Sequence, residues 1–155
     1  MNTYYKLLQR LKSLFEEDQD VNSVTTGEFD QWKKDDFALV HLEFTASPFV
    51  ENTSINRFDV LITAVDIRDI NNEDTKDVFW FNDNRHDNWN LTYKILNTGL
   101  RKLQRDEDYD IVNVSSSEPL SWAFMNGLDG WQQTWTIDVI DESTNICVEN
   151  ERKRC

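Results

Sequence analysis

Two histidines, two cysteines, two prolines and four glycines are spread over 155 residues. Each scarcity bears on function. No Walker loop or Gly-rich dinucleotide turn is present, and so few glycines could hardly build one. Cys147 and Cys155 have no Cys or His at metal spacing, and a disulfide between them would close only a terminal loop. Two thiols in a reducing compartment are expected. No apolar run approaches the roughly 20 residues that cross a bilayer. The opening MNTYYKLLQRLKSLFEED is too polar for a secretory leader, so a protein made and kept in a cytoplasm is expected. The Asn-x-Ser/Thr triplets at Asn52, Asn90 and Asn113 then count as chance matches.

Cations are scarce as well: 16 Lys and Arg face 29 Asp and Glu, a net charge of −13. Gripping nucleic acid through its phosphates needs Lys and Arg to displace counterions, so that function is disfavoured. Docking on an anionic membrane is disfavoured for the same reason. Solubility alone accounts for most such charge. A surface that must not stick to passing DNA, or one that imitates DNA, is the sharper alternative.

What is present is core material: 39% hydrophobic residues, with nine Phe and six Trp. At this length one domain is expected over residues 1–145, with 146–155 as a charged tail. Tyr4, Leu7, Leu8, Leu11, Leu14 and Phe15 recur at helical spacing, with Asn2 or Thr3 as cap, and the acidic run from Glu16 to Asp20 ends that helix. Val21 and Val24 suggest a short strand before a turn at Gly27, and Phe29 and Trp32 are apolar anchors in the polar stretch beyond. Residues 37–46 alternate strongly and stop at Pro48; INRFDVLITAVDI, 55–67, is a second strand with apolar residues on both faces. A second helix is predicted over 88–105, capped by Asp87, with Gly99 allowing close packing on the sheet. Strands follow at 109–116 and 131–140, separated by a loop that starts at Pro119 and turns at Gly127 and Gly130. The fold class is α+β: an antiparallel, possibly mixed, sheet of about four to five strands with two main helices on one face.

Catalytic chemistry is hard to find. His41 sits among apolar strand residues and reads as packed. His86, with Asp83 and Asp87, reads better as helix-start charge than as a metal site. Asp66, Asp69, Glu73, Asp74 and Asp77 could bring a Mg²⁺ site to a strand end, but no Lys or His accompanies them at catalytic spacing. Ser115-Ser116-Ser117 lacks a nucleophile elbow. No catalytic residue, metal ligand or cofactor is assigned.

The aromatic clusters carry more. The 68–87 connection is long and polar except for Val78-Phe79-Trp80-Phe81, and Trp122 and Phe124 stand between the last two strands. Folding back as satellite core is the ordinary fate of such rings. The alternative is an interface, where Trp and Phe concentrate binding energy, and Phe79, Trp80, Phe81, Trp122 and Phe124 are the candidates.

The order of elements is also informative: a leading helix, a long hairpin (37–46 with 55–67), a packed helix (88–105) and a closing hairpin ending GWQQTWTIDVID. Over roughly residues 3–141 it resembles the tail-terminator and tail-completion, or head–tail joining, proteins of long-tailed bacteriophages. The length of the 68–87 loop and the ERKRC ending depart from that pattern. The resemblance implies a non-enzymatic virion protein, assembled in the host cytoplasm as a homo-oligomeric ring, six copies being expected. It also implies partners in the tail tube and neck (connector) proteins, with no membrane and with DNA passing nearby unbound. Glu73, Asp74 and Asp77 are then candidates to face the lumen. The competing expectation is an acidic DNA mimic that inhibits a DNA-processing enzyme, and a metal-dependent hydrolase using Asp66 and Asp69 ranks last.

Overall fold

The computed structural model describes residues 3–27, 36–52, 54–69, 79, 84–123 and 127–140. Along the chain lie α1 (Thr3–Glu16), β1 (Ser23–Thr26), β2 (Leu39–Ala46), β3 (Ile55–Ile67), α2 (Arg85–Gln104), β4 (Tyr109–Val114), β5 (Glu118–Ala123) and β6 (Leu128–Ile140). The sheet runs β1-β2-β3-β6-β4, and β5 pairs with β6 on the edge that β4 also uses. It is mixed, because β1 lies parallel to β2 while the other pairs are antiparallel.

Period-two alternation selects the two faces. Val40 pairs with Ala64, Leu42 with Ile62 and Phe44 with Val60, and in turn Val60 pairs with Trp135 and Phe58 with Ile137. These side chains share the helix side. There they join Leu7, Leu11, Leu14 and Phe15 of α1 and Ile95, Leu96 and Leu103 of α2 in one buried core. Both helices therefore cover the same face, as the sequence predicts. Trp135, fully buried, satisfies its indole N–H on Gln133 Oε1 at 2.9 Å. On the opposite face a smaller cluster of Phe37, Leu39, Val65 and Leu128 occupies one end only.

Four local expectations are corrected. The sheet has six strands, because the segment predicted as a loop from Pro119 forms β5. It is an edge strand, where the missing proline N–H is tolerated. Gly130 lies inside β6 rather than in a turn: a Cβ there would stand 1.9 Å from the Ala64 carbonyl oxygen, so the close approach of β3 requires glycine. Helix α2 begins at Arg85, with Asn84 rather than Asp87 at its cap position. Gly99 does relieve packing, but against α1, since an added Cβ would meet the Phe15 ring at 2.5 Å. Phe29, Trp32 and the 146–155 tail lie outside the described residues.

Candidate interface at the two ends of the sheet

Arg68 follows β3 directly. Its Nε donates to Asp129 Oδ2 at 2.9 Å and its Nη2 to Asp129 Oδ1 at 2.5 Å, with a further bond from Nη2 to Ser121 Oγ at 2.9 Å. Asp129 is completely buried and the Arg68 side chain nearly so. A lone carboxylate in that position would be expensive, and the planar guanidinium fork satisfies both of its oxygens.

The pair also fixes a neighbour. Asp129 Oδ1 accepts the Trp122 backbone N–H at 2.9 Å, and the Arg68 guanidinium lies 5.0 Å from the centre of the Trp122 ring. Trp122 holds φ = +51°, a left-handed conformation that bulky residues rarely adopt and that costs of order 1–3 kcal/mol. Its ring rests on Gly127, where a Cβ would come within 2.9 Å, yet it remains 50% exposed. A large apolar ring is thus held outward by fixed contacts. Such a group has little freedom left to lose on docking.

Helix α2 starts beside this clamp. Asn84 accepts the Asp69 backbone N–H at 2.7 Å, while the Asn84 and Asn88 amides both donate to the Ile67 carbonyl. A row of rings continues from there. Phe79, 68% exposed, stacks on His86; His86 meets Trp89; Trp89 and Tyr93 both pack on Trp131. The indoles are anchored as well, Trp89 Nε1 to the Leu120 carbonyl and Trp131 Nε1 to the Trp89 carbonyl.

Asp66 and Asp69 line an open cavity of about 350 Å³ with Ile67, Arg68 and Asn84. Burial pushes the Asp66 carboxyl above its usual pKa, and the Ile67 N–H that it accepts only partly offsets this. Among the described residues no group of three or more His, Cys, Asp or Glu is placed to hold a metal ion. His41 is buried on the other face beside Thr25 Oγ1, and burial lowers its pKa against the opposing pull of Glu43 and the Gly27 backbone.

The opposite end of the sheet is also aromatic, which sequence reasoning missed. Tyr4 of α1 packs on Phe44 (4.8 Å between ring centres) and Phe58, with Tyr5 alongside and 57% exposed. Phe49, in the β2–β3 turn, is 90% exposed. An apolar residue between Pro48 and Val50 in an otherwise polar turn was the available signal. Of the predicted interface set, Phe79 and Trp122 are thus exposed at one end. Trp80, Phe81 and Phe124, with Glu73, Asp74 and Asp77, lie outside the described residues.

No protein-family model matches the chain, and no curated protein matches it. Among the described residues no helix is long and apolar enough to cross a membrane.

Proposed function

We propose that this chain is a structural subunit of a bacteriophage virion, a tail-terminator or tail-completion protein that assembles as a ring at the head-proximal end of the tail. The observation that carries the reading is Trp122: a half-exposed indole on a strained backbone, braced by Arg68 and Asp129. Strain held at an exposed aromatic suits an interface anchor. The element order resembles that family, and a charge of −13 suits a lumen through which DNA must slide without being trapped. Glu73, Asp74 and Asp77 remain the proposed lumen carboxylates. In this reading the subunit catalyses nothing and its partners are its own copies, the tail tube and the neck.

A DNA mimic would need rows of unpaired carboxylates. The acidic residues here instead cluster in turns such as Asp106-Glu107-Asp108, which favours the ring. Sedimentation velocity over a concentration series, with electron microscopy of the protein added to tail tubes, tests the proposal. Closed rings that cap tubes are expected; a monomer at every concentration that leaves tubes bare would overturn it.

A further inference from the structure

The bond from Trp122 to Asp129 sits at a break in the ladder. Strand β5 pairs Leu120 with Gly130 and Ala123 with Leu128, so Ser121 and Trp122 together stand opposite Asp129 alone. Two residues facing one make a β-bulge, a feature that re-aims side chains at sheet edges. In a regular strand consecutive side chains leave by opposite faces. Here both turn to the same cation: Arg68 donates to Ser121 Oγ, and its guanidinium lies 5.0 Å from the centre of the Trp122 ring. Leu120 packs on the small cluster of the other face, and without the bulge Trp122, two residues on, would point the same way.

Asp129 closes the bulge from the facing strand. Its Oδ1 accepts both the Trp122 N–H and Arg68 Nη2, whereas Oδ2 accepts Arg68 Nε alone. An ion pair that served only the core would need no bond to Trp122. Asp129 is also completely buried, so it cannot itself touch a neighbouring copy. Its reach to the surface runs through the Trp122 backbone. That backbone has φ = +51°, a conformation that suits glycine, yet it carries a half-exposed indole.

Resting on the ring reading, we infer that the Ser121–Trp122 bulge aims the assembly anchor and that Asp129 is its positioning residue, acting on association through the Trp122 backbone. The bond to Arg68 serves the fold, and the bond from the Trp122 N–H serves the interface. One carboxylate therefore has two functions that substitution can separate. A ring fixed in its docking direction before contact loses less freedom on association, which is where the aim acts.

The test compares full-length variants, with sedimentation reading association and urea unfolding reading stability. Asp129→Asn keeps an oxygen for the Trp122 N–H but loses the charge that pairs with Arg68, while Asp129→Ala loses both. Both should unfold at lower urea than the parent. Association should fall by at least about tenfold in Asp129→Ala but by less than about threefold in Asp129→Asn. Asp129→Leu, of similar shape and without an acceptor, replaces Asp129→Ala should that variant not fold. Trp122→Gly and Trp122→Ala both remove the ring and should each weaken association by at least about tenfold. Trp122→Gly should nonetheless unfold at the higher urea concentration of the two, because glycine accepts the positive φ. If the Asn variant loses association as fully as the variant without an acceptor, Asp129 is only a core ion-pair partner, and the positioning role is wrong while the ring stands. If Trp122→Ala is the more stable of its pair, no strained bulge holds the ring and the aim is wrong. A parent that is monomeric at every concentration would overturn the ring reading, and the role in association with it.

Discussion

The guanidinium of Arg68 lies 5.0 Å from the centre of the Trp122 ring while its nitrogens grip Asp129. One cation thereby satisfies a completely buried carboxylate and braces the most strained aromatic in the described structure. Asp129 is the silent partner, since it also holds the Trp122 N–H.

Removing that carboxylate should be costly. Asp129→Ala strands Arg68 and frees the Trp122 backbone, and loss of about 3–5 kcal/mol is expected in urea denaturation, in line with buried pairs broken on one side. Quenching of Trp fluorescence by iodide should rise too, as the ring loses its brace.

Two glycines should answer an added methyl differently. Gly130→Ala drives a Cβ toward the backbone oxygen of Ala64, which cannot rotate away, so at least about 1–3 kcal/mol should be lost. Gly99→Ala meets side chains rather than backbone, the Phe15 ring at 2.5 Å and Leu14 at 3.1 Å, and the gain in helix propensity, about 1 kcal/mol, opposes the clash. Thermal unfolding of the two variants should rank Gly130→Ala as clearly the worse.

Stability should fall on mild acidification through His41. Burial lowers its folded-state pKa below 6.5, so between that value and the folded pKa the unfolded chain binds a proton that the native chain refuses. Its stabilising contribution is complete above pH 6.5 and is lost as pH drops through the window. Urea midpoints at pH 7.5 and pH 5.5 should differ more for the parent than for His41→Gln.

Asp66 works in the other sense. Burial raises its folded pKa above 3.8, so the native state resists ionisation that the unfolded chain accepts, and the resulting penalty grows as pH rises above 3.8 and is complete above the folded pKa. Asp66→Asn keeps an oxygen for the Ile67 N–H and should stabilise the protein at pH 7, with the advantage gone below pH 3.8. Equal effects at both pH values would contradict the assignment of burial as the cause.

Much of this architecture is legible locally. The stripe of Leu7, Leu11, Leu14 and Phe15 specifies α1, and the alternation from Phe58 to Ile62 specifies β3, because each pattern repeats within a few residues. Strand β5 was hidden because Pro119 and Trp122 read as loop residues, and only pairing with β6 makes a strand of them. Gly130 looked like a turn because the atom that demands glycine, the Ala64 carbonyl oxygen, belongs to another strand. At the candidate interface, the unusual aromatics Phe79 and Trp122 could be singled out from sequence. The Arg68–Asp129 clamp could not, being 61 residues apart.

By itself the chain determined its helices, its longest strands, its acidity and its surplus of aromatic rings, since periodicity and charge are properties of neighbouring residues. Tertiary structure alone decided that Arg68 finds Asp129, that the segment from Pro119 pairs as a sixth strand, and that Phe49 and Trp122 end up at opposite ends of the sheet. The reason is strand register: a single pairing of β3 with β6 fixes thirteen contacts at once, and no short stretch of sequence contains both sides of any of them.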